Sequence, residues 1–151
     1  MTTLSIRLAG ISDLEPLLLL FDAYRRFYGR EGAIDSARTF LRQRLERGES
    51  VVLLALLGQQ PVGFAQLYPG FSSLSMGRTF VLNDLFVHPE YRKLGAGKGL
   101  VEAATEHARR AGAISLSLST ATTNTAAQSL YEALGWQRDR NFFTYEFDLA
   151  T

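Results

Sequence analysis

The first hydrophobic pattern along the chain alternates with a period of two, because polar residues separate Leu4, Ile6 and Leu8. This alternation predicts a strand with one buried face. Apolar positions then recur at helical spacing in two stretches, the first up to about Tyr28 and the second up to Gly48. The chain is therefore expected to begin with one strand followed by two helices.

The middle of the chain predicts three strands and one helix. Val51–Leu57 is a continuous apolar run, and turn residues separate it from Val62–Tyr68, which predicts an antiparallel hairpin. A loop is expected over 69–76, and Thr79–Val87 predicts a third long strand. Apolar residues at helical spacing then predict a helix over Gly97–Ala111.

The last part of the chain predicts strand, helix and strand. Leu116 and Leu118 alternate with serines, Asn124–Leu134 has a helical pattern, and aromatic residues alternate over Phe143–Leu149. The complete order is β-α-α-β-β-β-α-β-α-β, without a repeat or a linker. It predicts one α/β domain over residues 1–151, a mixed sheet with helices on both faces.

Composition removes several function classes. The absence of cysteine excludes disulfides, thiolate metal sites and a cysteine nucleophile, and it fits a reducing compartment. A net charge of +1 is low for a protein that binds nucleic acid. Apolar runs such as 17–21 are too short to span a membrane, and the first residues lack the pattern of a signal peptide. The expectation is a cytoplasmic protein without a nucleic acid, membrane or metal partner.

A glycine-rich segment, YRKLGAGKGL over 91–100, connects a predicted strand to a predicted helix. Glycines allow a ligand to approach the backbone closely, and free N–H groups at a helix start attract anions, so the segment favours a phosphorylated ligand. It does not fit a dinucleotide fingerprint, because position 100 is Leu, nor a nucleotide-hydrolase phosphate loop, because Gly99 follows Lys98. The alternative is a glycine-rich turn with solvated lysines.

Two motifs in this chain resemble those of a known family. Arg92-x-x-Gly95-x-Gly97, which follows a strand, is similar to the acetyl-CoA motif (Q/R-x-x-G-x-G/A) of the GNAT superfamily of N-acetyltransferases. The later segment Asn124-x-x-Ala127-x-x-Leu130-Tyr131-x-x-x-Gly135-Trp136 resembles its N-x-x-A-x-x-L-Y-x-x-x-G-F segment, with Trp in place of Phe. The resemblance spans essentially the whole chain. It implies the GNAT fold, with a mixed, mostly antiparallel sheet flanked by helices, and an acetyl-CoA-dependent N-acetyltransferase that needs no metal.

The resemblance also implies where acetyl-CoA binds. Its pantetheine arm would lie like an extra strand beside Leu85, Phe86 and Val87. Its pyrophosphate would be bound by backbone N–H groups of the loop, whose residues are Arg92, Lys93, Leu94, Gly95, Ala96, Gly97 and Lys98. One of the two lysines could pair with a phosphate, or both could be solvated. Asn124 either contacts the cofactor or only caps its helix.

The family gives the tyrosine at Tyr131 the role of proton donor to the leaving CoA thiolate; the alternative is a core aromatic residue. The attacking amine must also lose a proton, which costs about 4 to 5 kcal/mol near neutral pH. Members that act on polyamines or amino sugars often have Glu-Asp where this chain has Asn83-Asp84. Asn83 cannot accept a proton, so it would position a water or the amine. Simple alternation along the strand places Asp84 on the face opposite to Asn83, together with Leu82 and Phe86, unless a bulge changes its direction. The expected partner of Asp84 is an arginine or the backbone.

The acceptor is expected to be a primary amine of a small molecule or peptide. Seven arginines against three acidic residues over 25–47 argue against spermidine and favour an acceptor with a carboxylate or phosphate. Acetylation of protein lysines or N-termini, and a non-catalytic acyl-CoA sensor, are the alternatives. The aromatic residues of the segment 142–149 further predict a homodimer that pairs or packs through it.

Overall fold

The computed structural model describes residues 3–150 of the chain. They form a compact unit up to Ser119 and a second one from Thr120. The elements are β1 (Leu4–Leu8), α1 (Leu14–Phe27), α2 (Ile34–Glu46), β2 (Val51–Leu57), β3 (Gln60–Ser72), β4 (Gly77–Val87), α3 (Ala96–Arg110), β5 (Ser115–Ser117) and α4 (Thr125–Ala133). No helix within this described range is long and apolar enough to cross a bilayer.

The five strands form one sheet in the order β1-β2-β3-β4-β5. The first four strands are antiparallel neighbours, and β5 pairs in parallel with the beginning of β4, where Thr79–Val81 lies opposite Ser115–Ser117. The prediction of a mixed, mostly antiparallel sheet flanked by helices is confirmed.

Each face of this sheet carries its own hydrophobic core. On one face, α1 and α2 bury Leu17 and Leu41 against residues of β2 and β3 such as Leu54 and Phe64. On the other face, α3 buries Leu100 and its neighbours against the alternate residues of the same strands. Because both faces are covered, β2 is apolar at every position, which explains its unbroken hydrophobic run.

A β-bulge in β4 reverses the direction of its side chains. Gln66 of β3 pairs with Asp84, but the next residue of β3 pairs with Leu82, so Asn83 is the extra residue. Leu82, before the bulge, lies in the α3 core, whereas Phe86, after it, lies in the core of α1 and α2. The expectation from simple alternation, that Leu82, Asp84 and Phe86 share a face, is therefore wrong. The bulge turns Asp84 toward α1.

The hairpin of β3 and β4 is longer than expected. The segment 69–76, predicted as a loop, forms strand as far as Ser72, with Pro69 opposite Phe80. Pro69 lies beyond the last pair that β2 makes with β3, Val51 with Leu67, on a stretch where β3 has β4 as its only strand neighbour. Proline is tolerated on such an edge, so the strand continues through Pro69.

The last predicted strand, Phe143–Leu149, is not formed. The structure assigns no strand between 137 and 150, and Phe143, Tyr145 and Phe147 are at least 88% exposed. Alternation shows that a segment is able to cover an apolar surface, but a strand also requires a neighbouring backbone for its hydrogen bonds. The observed order therefore ends at α4, one strand short of the prediction.

Candidate active site

The loop between β4 and α3 has a backbone that few side chains tolerate. A short 3-10 turn at Pro89–Tyr91 opens it, and the His88 Nδ1 atom accepts a hydrogen bond from the Glu90 amide at 3.2 Å. Lys93 and Gly95 then adopt left-handed conformations, with φ of 69° and 87°. A loop with such alternating conformations turns successive N–H groups toward a common point, which favours an anion.

The N-terminus of α3 continues this set of donors. Gly95 occupies the cap position, and within residues 3–150 no side chain caps this end of the helix. The first helical hydrogen bond runs from the Gly99 amide to the Gly95 carbonyl at 2.9 Å. The amides of Ala96, Gly97 and Lys98 precede it and have no acceptor within the helix. Three donors without an acceptor in their helix, at the positive end of this 15-residue helix, favour an anion.

Gly97 leaves space that the fold itself does not require. Its backbone is not left-handed, and a Cβ atom there would meet only the Val87 Cγ2 atom, at 4.0 Å. The fold therefore has room for a Cβ atom at this position, and glycine keeps that room open.

One edge of β4 is available next to this loop. Leu85, Phe86 and Val87 pair on one side with Ala65, Phe64 and Gly63 of β3, and β5 pairs on the other side only with Thr79–Val81. Within the part of the chain that the structure describes, the second edge of 85–87 therefore has no strand partner. An extended chain with amide groups fits such an edge.

The Arg92 side chain joins the loop to β4 and α1. Its Nε atom donates to the Val87 carbonyl at 3.0 Å, and its guanidinium carbon lies 5.3 Å from the ring centroid of Phe27 and 5.9 Å from that of Phe86. The sequence-based prediction used only the backbone of Arg92. Phe27 is remote from Arg92 in the sequence, so no local signal could have revealed this contact.

Two polar side chains are buried where β3 and β4 face α1. Gln66 is fully buried and Asp84 is 6% exposed. The Gln66 Nε2 atom donates to Asp84 Oδ2 at 3.0 Å, and the Asn83 Nδ2 atom donates to Oδ1 at 3.1 Å. The predicted partners of Asp84, an arginine or the backbone, are thus replaced by side-chain amides.

Two tyrosines surround this polar pair. Burial raises the pKa of Tyr24, and the Asp84 carboxylate, to which Tyr24 is hydrogen-bonded, raises it further. Burial, followed by the charge of Asp84, also raises the pKa of Tyr68 to about 12. Both phenols therefore remain protonated near neutral pH, and the Tyr24 hydroxyl donates to Asp84.

In the second unit, α4 carries both remaining candidate residues. Asn124 caps the helix, because its Oδ1 atom accepts from the Ala127 amide at 3.1 Å. At the other end Gly135 is left-handed, and the Trp136 amide donates to the Tyr131 carbonyl at 3.0 Å. The two aromatic rings lie 5.8 Å apart, which completes a Schellman motif with its usual hydrophobic contact.

The motif that begins at Asn124 therefore contains residues that start and stop a helix. This geometry explains Gly135 and the ring of Tyr131, and the chemical role of the Tyr131 hydroxyl stays a prediction. The structure brings the β4 edge and the 92–98 loop together in the first unit, and it gives Asn124 and Tyr131 to one helix of the second.

Comparisons with known proteins agree with this architecture. The profile of the acetyltransferase (GNAT) family matches residues 17–136. An uncharacterized N-acetyltransferase, YhfO, of Bacillus subtilis (strain 168) is 45% identical over 142 residues, 94% of this chain and 95% of the relative. The crystal structure of a probable acetyltransferase, 39% identical, superposes with a TM-score of 0.93 and covers 97% of this chain and 99% of its own.

A more distant relative has a named activity. The thialysine N-epsilon-acetyltransferase of Caenorhabditis elegans is 23% identical over 139 residues, 90% of this chain and 86% of that protein. The family profile spans well over half of the chain and includes the loop, α3 and α4. The chain therefore belongs to the GNAT family, as an N-acetyltransferase that depends on acetyl-CoA.

Proposed function

We propose that this protein, as a single domain over 1–151, transfers the acetyl group of acetyl-CoA to a primary amine of a small molecule or peptide. The amine attacks the thioester directly while both substrates are bound, because a chain without cysteine cannot form a thiol acyl-enzyme. The observation that carries the proposal is the uncapped N-terminus of α3 next to the available edge of β4.

Acetyl-CoA is bound mainly by the backbone in this proposal. The amides of the 92–98 loop receive the pyrophosphate, and Leu85, Phe86 and Val87 form hydrogen bonds with the two amides of pantetheine. The Val87 carbonyl already accepts one bond from Arg92, which uses one of its two lone pairs. Lys93 and Lys98, both exposed, add charge near the phosphates. Asn124 contributes a side-chain contact in addition to its cap.

The chemical step needs two proton movements. The amine nitrogen forms a bond to the acetyl carbon, the carbon–sulfur bond breaks, and the thiolate receives a proton from the Tyr131 hydroxyl. The amine loses its proton to water, which Asn83 positions together with the amine. Asn83 is an exposed residue at the bulge, and its Nδ2 atom donates one of its two N–H groups to Asp84, which leaves the other for a ligand.

The acceptor class follows from charge and from a relative. The excess of arginines over 25–47 favours an acceptor that carries an anionic group besides its amine. The related enzyme named for thialysine acts, by its name, on an epsilon nitrogen. A small amino acid with a side-chain amine combines both features, and a lysine or the N-terminus of a protein is the alternative acceptor.

The test is thiol release from acetyl-CoA in the presence of a panel of amines. The expected result is turnover with side-chain amines of small amino acids above the rate with spermidine. Binding of acetyl-CoA without turnover of any amine or peptide would favour a non-catalytic acyl-CoA sensor, which the missing carboxylate at Asn83 motivates. Turnover limited to peptides and proteins would assign the alternative acceptor.

We further propose a cytoplasmic homodimer that binds neither nucleic acid nor membrane. Phe143, Tyr145 and Phe147 alternate along their segment and are almost fully exposed, so they form an apolar surface that a second copy would cover. Light scattering at micromolar concentrations is expected to give the mass of a dimer. A monomer at tens of micromolar would contradict this assignment.

A further inference from the structure

Three arginines in the described part of the chain lie over phenylalanine rings, and for two of them the ring belongs to a neighbour in the same helix or hairpin. Arg44 follows Phe40 by one turn of α2, and its guanidinium carbon lies 4.7 Å from the ring centroid. Arg78 of β4 is paired with Phe71 of β3, at 4.3 Å. Secondary structure alone brings the members of these two pairs together.

The third pair, Arg92 with Phe27, joins two segments that no local periodicity brings together. Phe27 is the last residue of α1, and Arg92 is the first residue of the 92–98 loop. Phe27 is 60% exposed, and its ring centroid lies 6.4 Å from that of Phe86, so the Arg92 guanidinium lies over both rings. An aromatic ring attracts a guanidinium in addition to its apolar contact. Phe27 thus holds the Arg92 side chain from the side of α1.

The backbone that follows Arg92 explains why this side chain must be held. Lys93 has a left-handed φ of 69°, which is unfavourable for a residue with a Cβ atom. Such a conformation persists only when surrounding contacts fix it. The Arg92 side chain provides two kinds of contact, the hydrogen bond from Nε to the Val87 carbonyl at 3.0 Å and the contact with the aromatic rings. Loss of either should allow the loop to leave the conformation in which its amides face a common point.

We propose that Phe27 is a positioning residue, which acts through Arg92 to hold the 92–98 loop in the conformation that binds acetyl-CoA. This inference rests on the proposed function and deepens it, because the loop is the site proposed for the pyrophosphate. A loop that is already fixed in its binding conformation loses less entropy when the ligand binds, so its affinity is higher. A residue of α1, far from the glycine-rich segment in the sequence, therefore determines part of the affinity for acetyl-CoA.

The binding experiment measures the affinity for CoA by calorimetry, with the whole protein and without an acceptor. Phe27→Leu keeps an apolar side chain but removes the ring, and it is expected to weaken CoA binding about threefold. Phe27→Tyr restores the ring, and its hydroxyl has access to water at this exposed position, so the parental affinity should return. Phe71→Leu is the matched control, because it removes the ring next to Arg78 and should leave CoA binding unchanged.

A double-mutant cycle tests whether Phe27 acts through Arg92. Arg92→Met removes the charge and the Nε donor but keeps a flexible apolar side chain, and it should weaken CoA binding more than Phe27→Leu does. In the Arg92→Met background, Phe27→Leu should have no further effect, because the contact is already lost. Additive effects of the two substitutions would contradict the proposal.

Two other roles of Phe27 predict different results. If Phe27 only stabilises the core beside α1, Phe27→Leu would lower the melting temperature and leave the CoA affinity of the folded protein unchanged. If Phe27 contacts the acceptor, Phe27→Leu would raise the KM for the amine and again leave the CoA affinity unchanged. Either result would overturn the proposal.

A measurement without any ligand separates this inference from the proposed function. The ¹⁵N order parameters of residues 93–98 in the free protein should fall in Phe27→Leu and stay at the parental values in Phe71→Leu. If they fall but the parent does not bind CoA, the positioning of the loop stands and the proposed function is wrong. If the parent binds CoA, and Phe27→Leu changes neither the order parameters nor the affinity, the inference is wrong and the proposed function stands.

Discussion

The 92–98 loop and helix α4 both carry motif residues, but they use them in different ways. The loop offers backbone amides, while Lys93, Leu94 and Lys98 are exposed, Ala96 is buried in the α3 core, and Arg92 donates back to Val87. On α4 the candidate groups are two side chains, Asn124 and Tyr131, each of which also has a structural contact. A site made of backbone amides tolerates many substitutions and loses its ligand when a side chain fills the space. A site made of side chains loses its function when one functional group is removed.

The sharpest way to test this contrast is Tyr131→Phe. The ring contact with Trp136 is kept, so folding and acetyl-CoA affinity should be nearly unchanged. Loss of the general acid should lower kcat by about 10² to 10⁴. The measurement is steady-state turnover with acetyl-CoA, with Tyr145→Phe, which removes an exposed hydroxyl, as the matched control.

The same variant should respond to the leaving group. A thioester whose thiol ionises well below neutral pH hardly needs a proton, so the penalty of Tyr131→Phe should shrink with such a substrate. If Tyr131→Phe turns over acetyl-CoA at the parental rate while chemistry limits the rate, Tyr131 serves α4 only as its helix-stop residue.

The loop should be broken by a loss of space. Gly97→Val adds a side chain whose Cβ atom would meet only the Val87 Cγ2 atom, at 4.0 Å, so the protein is expected to remain folded. Acetyl-CoA binding should weaken by about 2 kcal/mol, roughly 30-fold, because the side chain blocks the helix end. Calorimetry measures this change, and Gly10→Val is the control, since Gly10 also has open space and an ordinary φ. An unchanged affinity in folded Gly97→Val would exclude the loop as the pyrophosphate site.

Asn124 allows the two uses of one side chain to be separated. Asn124→Ser keeps an oxygen for the helix cap, so the melting temperature should stay close to that of the parent. Loss of one hydrogen bond to the cofactor should weaken acetyl-CoA binding by about 1 kcal/mol. Asn124→Ala should lose the cap as well, which would lower the melting temperature. If the affinity of Asn124→Ser equals that of the parent, the residue is only a cap.

The smallest effect is expected for the lysines of the loop. Lys93→Gln and Lys98→Gln remove exposed charges, so each should weaken acetyl-CoA binding by less than about 1 kcal/mol, and the difference should vanish as salt is added. Arg110→Gln, at the opposite end of α3, is the control. A large loss that is insensitive to salt would mean that a side chain, and not the backbone, dominates phosphate binding.

Local patterns predicted those elements whose apolar residues repeat within one strand or helix. The α3 and α4 helices are confirmed, because each depends on the periodicity of a single segment. The prediction of a strand over 143–149 is wrong, because a strand requires a neighbouring strand, which alternation within one segment cannot reveal. The predicted face of Asp84 is wrong, because the extra residue in β4 can be recognised only from the pairing of β4 with β3.

The features of the candidate site also differ in whether the sequence alone could predict them. The glycines at 95 and 97 signalled a phosphate loop from sequence alone, and the structure contains the uncapped helix end that such a loop needs. The contact of Arg92 with Phe27 and the burial of Gln66 could not be foreseen. Both arise when α1, β3 and β4 pack together, and no spacing within one element encodes them.

The bulge at Asn83 has a consequence for directed evolution of this protein. Because Leu82 and Asp84 face opposite sides of the sheet, positions 84 and 66 can be randomised on the α1 side without changing Leu82 or the α3 core on the other side. Deletion of Asn83 itself would leave Leu82 and Asp84 opposite Leu67 and Gln66 on their present faces, whereas a deletion elsewhere in β4 would make the residues after it exchange faces. Libraries that vary residue identity at positions 84 and 66 should therefore leave the α3 core intact, whereas libraries that delete other residues of β4 should mostly yield misfolded proteins.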